Sequence, residues 1–198
     1  ADTSTDDASV GPLDSDVAAE EERVRCGHGV DEDAIRIVNL KKVFASGQRR
    51  CGTRQEFVAV ARINLGIKHD TLFCLLGHNG AGKTTTFNLL SGMFEPTRGD
   101  AYIFGKSVRA QLKAVQAMMG ICPQHDVLWP ELSGGEHLGL FAGLSLVAAS
   151  SIPARVNSFL AAVDLSEWGK VPSRNYSGGM RRRLSVACSL IADPAVCF

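Results

Sequence analysis

The run Gly77-His78-Asn79-Gly80-Ala81-Gly82-Lys83-Thr84 holds the residue types that bind a chain of phosphates. It fits G-x-x-x-x-G-K-[ST] in full. Glycines let a backbone wrap a phosphate and turn its N–H groups inward. A helix beginning behind the loop adds its positive end. Lys83 brings a charge to the outer phosphates. The Thr84 hydroxyl suits Mg²⁺, whose remaining shell would be phosphate oxygen and water. The motif implies nucleotide binding, but it does not separate kinases, GTPases, helicases and transport ATPases.

Two further features narrow the class. Ser177-Gly178-Gly179-Met180 follows Tyr176 and opens a segment of helical pattern, Arg181-Arg182-Arg183-Leu184-Ser185. Such a start offers backbone N–H groups and a dipole to an anion, although a plain helix N-cap would read the same. Pro123-Gln124-His125 follows a short apolar run, and a Gln there can offer its amide oxygen to Mg²⁺ or to an attacking water. The three arginines could suggest a nucleic-acid patch, but a solvated helix face is the expectation.

These residues need elements to hold them. Leu72-Phe73-Cys74-Leu75-Leu76 is a continuous apolar run, expected to be a central strand buried on both faces. Residues 35–40 and Phe57 to Leu65 read as strands flanking a polar loop over 46–56. Lys83 to Leu90 reads as a helix closed by Gly92. A strand follows over Ala101 to Phe104, and a helix over Arg109 to Met119. The chain from Pro130 to Pro172 is mostly helical. Another helix covers Arg181 to Ile191, and Ala195 to Phe198 begins a strand. Alternating strands and helices predict an α/β fold with a mainly parallel sheet.

The chain has 198 residues and a formal net charge of zero, but the balance hides two halves. Residues 1–33 hold 11 acidic groups against two arginines, so the remainder carries +9. That acidic stretch lacks aromatics and is expected to be a disordered linker. Six cysteines without a C-x-x-C pair suggest reduced thiols, neither a disulfide framework nor a zinc site. No apolar stretch approaches the ~20 residues that span a bilayer.

The order GHNGAGKTT, CPQHD, YSGGM-RRRLSVA and DPAVCF resembles the nucleotide-binding domain of an ABC transporter, closest to the A subfamily, over about residues 35–198, which implies a partial domain of that kind over 34–198. The resemblance implies a P-loop NTPase core with a mainly parallel sheet, an antiparallel β edge and a helical subdomain at about 125–176. By that likeness Gly77, His78, Asn79, Gly80, Ala81, Gly82, Lys83, Thr84 and Thr85 bind ATP, with Thr84 and Gln124 on Mg²⁺. Gln124 is the catalytic Q-loop residue, and Phe44 stands where an aromatic stacks on adenine. A strand-end core role suits Phe44 equally well. Ser177, Gly178, Gly179 and Met180 stand at the signature, which binds ATP held by a second nucleotide-binding domain in a head-to-tail dimer.

The sequence departs from the pattern at Tyr176, where Leu is usual, and at Met180 in place of Gln. Asp70 stands near a usual Gly. Leu132-Ser133-Gly134-Gly135-Glu136 imitates a signature, yet it lies too near Gln124 and is expected to be an ordinary helix start. Leu128-Trp129-Pro130 lies where the family receives its membrane domain, with core packing as the alternative. The resemblance implies an ATPase of a membrane transporter, on the cytoplasmic face, with membrane-spanning domains as partners, no nucleic acid, and lipids as cargo. A soluble ABC-type ATPase acting on DNA or ribosomes, and a non-hydrolysing nucleotide-binding module, are the other readings. The sequence ends before a Walker B Asp and its following Glu, so the expectation is a fragment, inactive alone, with the C-terminal part of the fold missing.

Overall fold

A computed structural model describes residues 14–50 and 53–198, and side chains outside 46–55. Two compact units divide the chain, Ala1–Val115 and Gln116–Phe198.

The first unit is built on two long paired strands, β1 (Asp33–Arg50) and β2 (Thr53–Lys68). Apolar Ile35, Ile37 and Leu40 lie on β1 and are buried, with Val60 of β2 and Ala101 and Ile103 of β3 (Arg98–Ile103). β4 (Lys106–Ser107) completes an antiparallel sheet in the order β2-β1-β3-β4. Asn39 takes a positive φ of 49° at an irregularity in β1, and Asn64 Oδ1 accepts its N–H at 2.7 Å. Gly99 lies so close that an added Cβ would be 2.1 Å from Asn39 O, so only glycine fits. The polar loop expected over 46–56 is therefore strand at both ends, and residues 51–52 lie outside the described residues.

Residues 15–25 overturn part of the expected disorder. They form α1 (Ser15–Arg25), which docks by charge. Glu20 Oε1 accepts the Gly66 N–H at 2.7 Å and pairs with Arg23, whose guanidinium also reaches Asp33 at 3.2 Å. Asp33 is buried and holds Arg36 at 3.1 Å, and Arg36 also donates to Val24 O. Glu21 meets Arg62 at 2.8 Å. Among the acids that suggested a solvated tail, Glu20, Glu21 and Asp33 are paired with Arg23, Arg62, Arg36 and the Gly66 amide. Residues 1–13 lie outside the described residues.

The apolar run 72–76 is also not the expected central strand. It is irregular backbone with Leu72 and Leu76 almost fully exposed, because no described strand pairs with it. An apolar run reports a preference for burial, whereas a strand also needs a partner for its N–H and C=O groups. Behind it α2 (Lys83–Leu90) begins at the predicted residue and buries Thr86, Leu89 and Leu90. α3 (Leu112–Gln116) is shorter than expected.

In the second unit β5 (Met119–Gly120) pairs in parallel with β6 (Val196–Cys197). Three helices surround a separate core: α4 (Gly134–Leu144), α5 (Ile152–Ala162) and α6 (Gly178–Leu190). The buried residues Leu184, Ala187, Cys188 and Ile191 recur at helical spacing and meet Leu138, Ala142, Leu160, Leu165 and Tyr176. Burial pushes the Cys188 thiol up to about 12, so it behaves as a small core hydrophobe. The α/β class holds. The four-stranded sheet of the first unit is nonetheless antiparallel throughout, because the 72–76 run does not join it, and the parallel pair β5–β6 is a separate two-stranded sheet of the second unit.

Candidate nucleotide-binding site

The glycine loop has the backbone its composition implies. Gly80 and Gly82 take φ of 87° and 83°, a left-handed conformation that costs other residues roughly 1–2 kcal/mol. Gly82 caps α2, and Thr86 N–H donates to its carbonyl at 2.8 Å. A Cβ on Gly82 would lie 2.6 Å from Ala59 O of β2, so the position is closed to side chains. Lys83 folds back over the loop and donates to Gly77 O at 2.6 Å and His78 O at 2.8 Å. Its ammonium therefore sits within the turn. Thr84 and Thr85 follow in the first turn of α2, with Thr84 exposed. No cluster of His, Cys, Asp or Glu able to hold a metal occurs among the described residues. A hydroxyl at a helix start suits a hard cation that takes its other ligands from phosphate and water.

Phe44 lies on β1, half-buried, with the Phe94 ring edge-on at 5.4 Å. Lys42 Nζ stands 5.0 Å from its centroid and donates to Glu95 O at 2.6 Å. The ring is thus engaged by an aromatic edge and a cation.

The second unit carries two Ser-Gly-Gly helix starts of opposite character. At α4, Ser133 forms a full capping box: Glu136 Oε2 accepts the Ser133 N–H and Oγ–H at 2.7 Å, and Ser133 Oγ accepts Glu136 N–H at 3.3 Å. These bonds, the backbone one first, hold the Glu136 carboxyl below its ordinary range. Gly135 N–H donates to Gly169 O at 2.8 Å, and Gly134 is buried. This end is filled by its own protein, as expected of an ordinary helix start.

At α6, Ser177 Oγ accepts the Met180 N–H at 3.2 Å. Gly178 and Gly179 are exposed, and a Cβ on either would meet nothing within 4 Å. Among the described residues their N–H groups have no acceptor, so this end is open to an anion from outside. Tyr176 is buried and donates to Trp168 O at 2.7 Å, which accounts for a tyrosine in place of Leu.

Gln124 is exposed on the segment after β5. Its flanks are held: Cys122 N–H donates to Phe198 O at 2.7 Å, and Arg182 Nη1 donates to Pro123 O at 2.5 Å. Asp126 Oδ1 is shut off from solvent without a hydrogen bond, and Arg182 Nη1 lies 3.5 Å away as its ion partner. The neighbouring arginines are engaged as well. Arg181 donates to Tyr176 O at 2.7 Å, and Arg183 to Val163 O at 2.8 Å. The three arginines are thus each tied to a backbone carbonyl, while Arg182 and Arg183 keep part of their side chains in solvent. Residue types alone gave no signal for the Arg182–Asp126 pair, whose members lie far apart in the chain.

Trp129 is partly exposed and stacks near His137, whose ring is fully buried. His137 Nδ1 faces Ser133 O at 2.8 Å, and Nε2 accepts Trp129 N–H at 2.9 Å, so the proton belongs on Nδ1. The Leu128-Trp129-Pro130 segment is thus fixed from the helix side.

Comparison with known proteins agrees with this architecture. Residues 60–198 match the family model described as ABC transporter. ABC transporter A family member 2 of Arabidopsis thaliana is 45% identical over 94% of this chain, which spans 20% of that relative. ATP-binding cassette sub-family A member 2 of Homo sapiens is 41% identical over 93% of this chain and is spanned to 7% of its length. A dimeric ATP-binding cassette in a post-hydrolysis state with ADP and Pi superposes with a TM-score of 0.70 at 22% identity, covering 82% of this chain and 72% of that one. The fold is that of the ABC ATP-binding domains. The chain belongs to the ABC transporter family and is A-subfamily-like in sequence. Among the described residues no helix is long and apolar enough to cross a membrane.

Proposed function

We propose that the chain is the nucleotide-binding part of a membrane transporter, on its cytoplasmic face, which couples ATP binding and hydrolysis to movement of lipids. The observation that carries this reading is the glycine loop, with left-handed Gly82 at the start of α2 and Lys83 turned into the turn. Gly77 to Thr85 would bind the phosphates, and Phe44 would stack on the adenine. Mg²⁺, held by Thr84 and Gln124 with phosphate and water, would neutralise the charge on the transferring phosphoryl group. The open start of α6 supports Ser177, Gly178, Gly179 and Met180 as donors to ATP on a second nucleotide-binding domain, arranged head to tail. Residues at about 125–176 would form the helical subdomain of a domain over 34–198, and membrane-spanning domains would be the partners. The three tied arginines argue against a nucleic-acid surface.

Lipid cargo rests on the relatives. Phospholipid-transporting ATPase ABCA3 and Phospholipid-transporting ATPase ABCA7 of Homo sapiens are 40% and 41% identical over 82% and 96% of this chain. The test uses the full-length protein carrying this sequence, reconstituted in vesicles with a labelled phospholipid. ATP-dependent lipid movement abolished by Lys83→Ala is the expected result. ATP turnover indifferent to Lys83→Ala would reject the nucleotide site. Lys83-dependent turnover without lipid movement would reject the cargo alone.

A further inference from the structure

We propose that Arg182 is a positioning residue for Gln124, fastening the loop that carries it to the first turns of α6. One guanidinium nitrogen meets Pro123 O at 2.5 Å and Asp126 Oδ1 at 3.5 Å, so the attachment brackets Gln124 and His125 on both sides. Arg182 lies five residues after Ser177, on the helix whose start is the open anion site. The Asp126 oxygen it faces is closed to solvent and has no hydrogen bond among the described residues. Removing the guanidinium would leave a carboxylate oxygen without its counter-charge inside the protein. The other side-chain donor to Pro123 O is the weak thiol of its neighbour Cys122, at 4.0 Å, which ties the loop only to itself. The flexible Gln124 side chain thus stands on a backbone arch pinned at both feet to α6. A displacement at the start of α6, where a phosphate would bind, moves that arch with it.

This inference rests on the proposed role of Gln124 at Mg²⁺-ATP and adds the residue that orients it. A misplaced reacting group of about 1 Å can cost up to about a hundredfold in rate. In the full-length protein, Arg182→Ala is expected to lower kcat for ATP about tenfold. KM for ATP changes little, because Arg182 touches no ligand itself. Arg182→Lys, which keeps a charged donor for Pro123 O, is expected to recover much of the rate. In a Gln124→Ala background, Arg182→Ala is expected to add less than about a twofold loss, since coupled residues do not add.

An equal fold-loss in both backgrounds would overturn the proposal, as would unchanged kcat. Amide hydrogen exchange gives a readout that needs no turnover. Arg182→Ala is expected to speed exchange over 122–127 while α6 stays protected. Unchanged exchange over 122–127 overturns the proposal whatever the kinetics show. Wild-type turnover indifferent to Lys83→Ala rejects the nucleotide reading, and the role of Arg182 in catalysis with it.

Discussion

The Tyr176 hydroxyl lies 2.5 Å from the point where a Cβ on Gly134 would sit. Two Ser-Gly-Gly motifs are therefore linked physically. The glycine of the closed one, at the start of α4, makes room for the tyrosine just ahead of the open one, at the start of α6. Tyr176 keeps its bond to Trp168 O only because Gly134 has no side chain. Burial also raises the phenol above its ordinary range.

Gly134→Ala should therefore destabilise the second unit by about 1–3 kcal/mol, the usual range for overpacking. The clash involves the hydroxyl, and the next neighbours, Leu160 Cδ2 and Tyr176 Cζ, stand at ordinary contact distances of 3.4 and 3.5 Å. In a Tyr176→Phe background the same change should cost much less. Denaturant midpoints of the four proteins measure the cycle, and equal costs in the two backgrounds would refute the contact.

The loop glycines should differ from one another. Gly82→Ala meets both a left-handed φ and Ala59 O, so it should abolish ATP binding and lower stability. Gly80→Ala has an equally positive φ but open space around its Cβ, and should cost only about 1–2 kcal/mol of backbone strain. Titration with a fluorescent ATP analogue, with thermal midpoints alongside, separates the two. Similar behaviour of both variants would contradict the close approach of β2 to the loop.

Docking of α1 should weaken in acid. Arg23 hydrogen-bonds the Glu20 carboxylate and, with the Gly66 N–H, holds its pKa below the ordinary value against the opposing effect of burial. A group with a depressed folded pKa contributes its stability above the unfolded value. That contribution is lost as pH falls through the folded one. The stability difference between wild type and Glu20→Gln should be largest near neutrality and shrink below about pH 4. A difference independent of pH would show that the Glu20 charge does not hold the helix.

Thiol reactivity should follow burial. At mildly alkaline pH a thiol reagent should modify exposed Cys74 and Cys197 in the folded protein and leave Cys188 untouched until unfolding. Cys122, half-buried and raised chiefly by desolvation, should react more slowly than the exposed pair. Mass spectrometry of labelled peptides reads the order, and early labelling of Cys188 would contradict the packing of α6.

Much of the candidate site was legible in the residues. The phosphate loop is read from eight consecutive positions because its geometry is local: glycine supplies the left-handed turns and the next residues start the helix. The start of α2 and the helical stripe of α6 follow for the same reason, since periodic burial is written in spacing. The acidic segment misled because composition reports charge and not its partner. Glu20 and Glu21 find Gly66 and Arg62 across the fold, and Asp33 is held by Arg23 and Arg36.

By itself the sequence determined that a glycine-rich loop leads into α2, that a second Ser-Gly-Gly opens α6, and that the chain is α/β. Only the tertiary structure decided which Ser-Gly-Gly is closed and which is open. The Ser-Gly-Gly letters are alike at Ser133 and Ser177. The acceptor for Gly135 N–H is Gly169 O, 34 positions away in the numbering, and nothing comparable reaches Gly178 or Gly179 among the described residues. The three arginines were likewise interchangeable in the sequence, until Tyr176 O, Pro123 O and Val163 O provided each with a separate partner. Local backbone preference depends on neighbours in the chain. The satisfaction of a particular donor depends on which distant carbonyl the packing brings within hydrogen-bonding reach.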